Sequence, residues 1–373
     1  MLETNLDYKM IGDSALAFAQ KELLPHLAEN DRYPFVPFFY ETFNKASQLE
    51  FFHLHLPEAL NGWGGNITPL CVILKNMSQV DASMASILLT NAFAQEIILQ
   101  SGQTEGLQLL LKKSKAPEEF IFAYPLFMNP DIDSLQIEAE KKQQHYSLSG
   151  KAEYVVLGNV TKPCLLPAKI KGQNSYSFFW VDLSQSGVTC NEPVLSVGLH
   201  ACPAVDILLD QVKGQLIGLV SEGAVYFNKA LSKMLPAAAA ISLGLMKSSF
   251  KEAFEYSLKR WQGGRKIINW SELQMILSEM SFKVKTAEML LEQVCQTADY
   301  NDEKWVEAVH AAAIYILDTA CEITSEGIQV LGGYGFMKDY FQEKRFRDAQ
   351  HMQSVFGFSY LRKLNYLNKF FRW

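Results

Sequence analysis

The side chains best suited to metal or nucleophilic chemistry are scattered along this chain. Six cysteines, Cys71, Cys164, Cys190, Cys202, Cys295 and Cys321, include no CxxC pair. They read as reduced core thiols rather than a zinc or redox motif. Seven histidines include no HExxH. His53 and His55 alternate within Phe51–Leu56, which suits a buried or half-buried segment better than a metal site, and no metal is expected. The 40 Asp and Glu residues are unevenly spread, with none between Gly223 and Lys251 and none after Asp348. Neither stretch can offer a carboxylate as general base.

The elements that would position a site fall into three zones. The first, residues 1–116, is helical, with apolar runs around Ile87–Leu89 and Ile97–Leu99, and is broken after Pro57 by Gly62, Gly64 and Gly65. The second, 117–220, holds short segments rich in β-branched and aromatic residues and bounded by Gly, Pro, Asn or Ser. They include Phe120–Tyr124, Tyr154–Leu157, Ser177–Val181 and Val205–Leu209, a strand-and-turn texture. The third, 221–373, returns to helices. Its clearest stripe is Leu273, Ile276, Met280, Val284, Ala287, Leu291 and Val294, whose steps of three and four predict a helix over Glu272–Gln296. Ser271 and Gln274 suggest a capping box at its start. The fold class expected is therefore mainly α with a central β domain.

The balance of 373 residues, 49% hydrophobic and 20% charged with net charge −6, is ordinary for a globular protein with a large core. It carries no basic stripe, so nucleic-acid binding is not expected. The polar, acidic start Met1–Asp7 is not that of a signal peptide. No apolar run is read as reaching the ~20 residues of a membrane span, and the cytoplasm is the expected compartment.

One set of motifs narrows this further. Gln329-Val330-Leu331-Gly332-Gly333-Tyr334-Gly335 is followed by Lys338-Asp339-Tyr340 and by Arg347-Asp348-Ala349. Upstream, Tyr256–Ile267 contains Arg260-Trp261-Gln262-Gly263-Gly264-Arg265-Lys266-Ile267. In these landmarks and their order the chain resembles the acyl-CoA dehydrogenase family over nearly its full length. The second motif is similar to the family's Arg-x-Gln-Phe-Gly-Lys-Pro-Ile, with Gly263 in place of Phe. The resemblance implies an N-terminal helical domain, a β-barrel-like middle domain and a C-terminal four-helix bundle. It also implies FAD as cofactor, an acyl-CoA or related thioester as ligand, a role in fatty acid metabolism, and a dimer or tetramer with a like chain. FAD in this family lies between two subunits. Arg260 is then the residue that reaches a neighbour's pyrophosphate, since a guanidinium suits a diphosphate through paired, charge-assisted hydrogen bonds. Gln262 and Gln329 would lie beside it, and Gly332 and Gly333 would let backbone approach the ADP half closely. A second reading of the glycine pair is that it only ends the preceding helix.

The resemblance also marks losses. The family's general base is a Glu shortly after Arg-Asp-Ala, and Phe356 stands there. Some members carry it instead on the helix before the Arg260 segment, and Met234 stands there. Neither can accept a proton, so no catalytic residue is expected; His351 is titratable but five residues away and a poor replacement. A flavin-facing hydroxyl of the middle domain is replaced by Val156. Tyr154 reads either as a stacking partner for a flavin ring or as a packing aromatic. What a subunit offers to its partner's FAD is kept, while what it would use for its own flavin and substrate is eroded. The leading expectation is a subunit that completes a partner's FAD site. The alternatives are a homomeric flavoenzyme of altered chemistry and a non-catalytic scaffold.

Overall fold

The computed structural model describes residues 6–33, 35, 38–143, 145–298 and 300–371; most of the Met1–Asp7 segment lies outside them. The helical first zone consists of α1 (Leu6–Phe18), α2 (Leu27–Asn30), α3 (Tyr40–Gln48), α4 (Thr68–Met77), α5 (Ala82–Gln100) and α6 (Glu105–Lys113). Asp81 caps α5 by accepting a hydrogen bond from the Ser83 backbone N–H at 3.0 Å. This helix is long and apolar enough to cross a membrane, which corrects the reading that no such run exists; yet 94% of its most apolar window is buried inside the protein. It is a core helix, apolar all round because every face is packed. His53 and His55 lie on turns that pack onto it, His55 fully buried.

The middle zone is built from β1 (Glu138–Lys141), β2 (Tyr146–Val156), β3 (Pro163–Ile170), β4 (Tyr176–Asp182), β5 (Val188–Pro193) and β6 (Ala204–Ile217). The order β2-β1-β3-β4-β6 closes through a β2–β6 pairing, and β5 adds to β6, giving the expected barrel-like ring, which leaves few exposed edges. The Phe120–Tyr124 segment is not a strand. Its backbone makes only isolated bridges, Ala123 to Cys164 and Tyr124 to Val156, so its aromatic composition reflects burial between barrel and helices rather than a ladder.

The last zone holds α7 (Gly223–Lys259), a hairpin of β7 (Trp261–Gln262) and β8 (Arg265–Lys266), then α8 (Ser271–Gln296), α9 (Glu303–Leu331), α10 (Gln342–Met352) and α11 (Ser359–Phe370). Along α7 the run from Ser232 to Met246 is buried throughout. The stripe read on α8 faces inward, with Met280, Val284, Ala287, Leu291 and Val294 buried. The capping box does not form. Trp270 is the N-cap, and the Ser271 hydroxyl, already inside the helix, bonds Glu272 instead. All six cysteines are free, but Cys190 is exposed and Cys321 half-buried, so the reading of core thiols holds for the other four.

The three zones meet through charge. Lys344 on α10 is buried between Asp348 at 2.7 Å and Asp81 at 3.1 Å. Arg347 bonds Asp31 and Glu343. The Leu199 N–H of the barrel donates to Asp348 at 2.7 Å. Thus the Arg-Asp-Ala motif pins helix α10 to both other zones.

Candidate functional site

Arg260, Gln262, Gln329 and Gly332, distant in sequence, line one groove of about 430 Å³ together with Tyr256, Trp270 and Leu273. The end of α7 delivers Arg260, the β7–β8 turn delivers Gln262, and the end of α9 delivers Gln329. Gly263 (φ +62°) and Gly264 (φ +83°) both sit in the left-handed region, the two-residue hairpin turn that glycine favours. The Arg260 guanidinium lies 5.4 Å over the Tyr334 ring, and no carboxylate of the described residues pairs with it. Ile267, Val330 and Leu331 add apolar surface to the wall of the same groove.

The two readings of the glycine pair divide between its members. Gly332, at φ +59° and ψ −133°, ends α9 in a conformation open to few residues but glycine. Gly333 has no positive φ, and a Cβ there would touch nothing within 4 Å. Neither conformation nor internal packing explains glycine at 333.

Tyr154 lies in a second cavity, of about 660 Å³, between the barrel and the loop after α10, with Phe127, His351 and Phe358 also in its wall. The β2–β6 register shifts between Ala152 and Val155, and Tyr154 takes φ +51° within that bulge, which re-aims its side chain. Its hydroxyl lies 3.1 Å from His351 Nε2, while His351 Nδ1 lies 2.8 Å from the Gly198 carbonyl. A carbonyl only accepts, so Nδ1 carries the proton and Nε2 accepts from Tyr154. Burial keeps the imidazole neutral by lowering its pKa and pushes the phenol well above its ordinary range. His351, read from the sequence as a poor replacement for the base, thus lines the cavity hydrogen-bonded to Tyr154. Phe127, 4.5 Å from the His351 ring, was not singled out.

Phe356 and Met234 are both buried, at 1% and 0% exposure. The Phe356 N–H donates to the Leu126 carbonyl at 2.9 Å, and its ring packs on Phe93. Among the described residues no three His, Cys, Asp or Glu side chains gather as a metal site.

The pattern of the acyl-CoA dehydrogenase N-terminal domain matches residues 5–114, and that of the C-terminal domain matches residues 221–363. The chain belongs to the acyl-CoA dehydrogenase family. It is similar to a caffeyl-CoA reductase–Etf complex subunit of Acetobacterium woodii, 26% identical over 92% of each chain. It is also similar to a 3-(aryl)acrylate reductase of Clostridium sporogenes, 27% identical over 92% of this chain and 93% of that one. Its fold matches butyryl-CoA dehydrogenase from Megasphaera elsdenii at a TM-score of 0.88, 21% identity and 98% coverage of both chains.

Family members are FAD-dependent flavoproteins. The two sites fit that cofactor unequally. The Arg260 groove offers a cation, two amides and a bare glycine, a donor set suited to a diphosphate and its nucleoside. At the Tyr154 cavity, Val156 is fully buried and its backbone pairs with Tyr124, so it offers a ligand nothing. The Tyr154 hydroxyl is already bonded to His351. Phe356 adds only buried hydrocarbon.

Proposed function

We propose that this chain is a non-catalytic subunit that completes the FAD site of a partner chain of the same family. Arg260 would bind the diphosphate, Gln262 and Gln329 the groups beside it, and Gly333 would let the nucleotide lie against the backbone. Bound FAD supplies a hydride-accepting ring; the proton abstraction that accompanies hydride transfer from an acyl thioester would fall to the partner's base. One observation carries this reading: an arginine without a carboxylate partner among the described residues lines an open groove, while buried phenylalanine and methionine stand where the resemblance puts the family's base. The same reading places the chain in the cytoplasm, where an exposed thiol such as Cys190 stays reduced.

Co-expression with a catalytic homologue tests it. The expected result is a stable complex with one FAD per pair of unlike chains. A flavin-free, inactive complex would overturn the proposal.

A second reading, a homomeric flavoenzyme whose chemistry needs no α-proton base, is favoured by the Tyr154–His351 pair in its own cavity. Yellow protein from expression of this chain alone, with one FAD per chain, is the result that reading requires. Colourless protein under all conditions, with no affinity for acyl-CoA, would instead mark a scaffold that kept only the fold.

A further inference from the structure

The Tyr154 cavity is left unused by the Arg260 reading, and its wall restricts the ligands it can take. Its volume of about 660 Å³ suits a small molecule. Its apolar lining comes from Phe127, Leu135, Ile137, Leu166, Phe358 and Leu361. The Phe127 and Tyr154 rings meet at 88° with centroids 5.6 Å apart. That right-angled corner offers a planar ligand one ring face and one ring edge, the two arrangements that aromatic groups favour. Phe358, 70% exposed, adds a third ring to the lining.

The charge of this wall is wrong for FAD and for thioesters of coenzyme A. Among the described residues the lining sets one lysine, Lys151, against two carboxylates, Asp131 and Glu153. Lys151 Nζ is already shared between Glu153 and Asp206, each at 2.9 Å. A phosphate or carboxylate brought into the cavity would find no cation to itself, and a desolvated anion without a partner is costly. The polar handle inside is an acceptor. Tyr154 gives its only hydroxyl proton to His351 Nε2, so the lone pairs of that oxygen are what remain for a ligand.

We infer that the Tyr154 cavity binds an uncharged planar aromatic molecule carrying an O–H or N–H donor, and that it excludes FAD and acyl-CoA. The donor bonds the Tyr154 oxygen, and the ring packs among Phe127, Tyr154 and Phe358. The chain then has a ligand site of its own, whether or not Arg260 serves a partner's flavin.

Fluorescence titration of the purified full chain at neutral pH tests this with 2-naphthol, naphthalene and 2-naphthoate, which share one ring system. The first is uncharged with a donor, the second lacks the donor, and the third is an anion. 2-Naphthol should bind tightest, with naphthalene about three- to tenfold weaker for want of one hydrogen bond and 2-naphthoate weaker still. Tyr154→Phe should erase the difference between 2-naphthol and naphthalene. Phe358→Ala, at an exposed position, should weaken both alike by about three- to tenfold, the share of one aromatic contact. An unchanged circular dichroism spectrum verifies that each variant folds. Arg260→Gln should leave all three affinities unchanged, and Phe358→Ala should leave the FAD content of the heteromeric complex unchanged, so this inference and the flavin reading fail separately. Displacement of bound 2-naphthol by FAD or butyryl-CoA at equal concentration overturns the inference. So does tighter binding of 2-naphthoate than of 2-naphthol, a preference for 2-naphthol that survives in Y154F, unchanged affinities in F358A, or no binding of 2-naphthol at all.

Discussion

The ring centroids of Phe356 and Phe93 lie 4.3 Å apart, deep inside the protein, where both side chains are buried. Phe93 also packs on Phe227 at 5.6 Å and on Tyr124 at 5.3 Å. Phe356 is therefore part of a four-ring cluster drawn from α5, α7, the segment before the barrel and the loop after α10. A carboxylate introduced there would be desolvated and unpaired, so it would stay protonated. Phe356→Glu should thus gain no dehydrogenase activity with any acyl-CoA tested. It should lower stability by several kcal/mol, and Phe356→Ala by about 3–5 kcal/mol. Urea unfolding monitored alongside an acyl-CoA-dependent dye reduction assay measures both. Activity in F356E would show that the pocket can still be opened for chemistry.

Arg260 should matter to flavin and little to folding. It is exposed and has no carboxylate partner among the described residues. Charge-assisted hydrogen bonds contribute about 1.5–3 kcal/mol each, so Arg260→Gln should weaken FAD retention in the heteromeric complex by roughly 10- to 150-fold. Arg265 is the control. Its guanidinium lies 3.7 Å over the Trp270 ring outside the groove lining, and Arg265→Gln should leave flavin content within about twofold, the scale expected of a surface change. Flavin absorbance after gel filtration distinguishes the two. Equal losses from both variants would argue that general basicity of the hairpin, rather than one placed guanidinium, holds the cofactor.

The legible and illegible parts of the molecule differ for a physical reason. The face of α8 could be read because helical periodicity is local, and Met280, Val284 and Leu291 obey it. Arg260, Gln329 and the glycines could be read because their motifs are contiguous, although only the fold brings them into one groove. Tyr154 could be placed on a strand but not aimed, since a single bulge changes which way a strand residue points. His351, Phe127 and Phe93 gain their meaning from neighbours contributed by other zones. Phe120–Tyr124 misled because buried aromatic residues look the same in a strand as in an irregular segment wedged between domains.

Glu96 of α5 and Lys233 of α7 should behave as a coupled pair. Glu96 is fully buried, and its carboxylate lies 3.0 Å from the Lys233 ammonium, which in turn sits 4.9 Å over the Tyr300 ring. Gln100 donates to the other Glu96 oxygen at 2.6 Å. Burial raises the Glu96 pKa, with Lys233 opposing the shift. Removing one partner strands a buried charge, so Lys233→Met should cost about 3–5 kcal/mol, whereas K233M combined with Glu96→Leu should recover most of that loss. A double-mutant cycle by urea unfolding reads the coupling. Strict additivity would mean that the two charges are solvated independently.

Lys233 also bears on acid stability, because its charge is among the causes that hold His55 neutral. Burial lowers the His55 pKa to about 3, with Lys233 next in effect, and burial lowers that of His310 to about 4. Unfolded histidine titrates near 6.5. Both groups are depressed bases, so below pH ~6.5 the unfolded chain binds protons that the native chain refuses, and stability falls as pH falls. The contribution is fully present above pH ~6.5 and declines toward pH 3–4, by up to roughly 3–5 kcal/mol for each group. His200 works in the opposite sense. Its ring meets the Asp31 carboxylate and carbonyl on one side and the Ser196 carbonyl on the other, and Asp31 leads the causes that raise its pKa. Its contribution is present below pH ~6.5 and is lost as pH rises through its elevated folded value, offsetting part of one buried histidine. The net expectation is a urea midpoint that drops markedly between pH 7.5 and pH 5. The drop should shrink in His55→Leu and grow in His200→Gln. If His55→Leu kept the full pH dependence, the buried imidazole would not be the group that takes up the proton on unfolding.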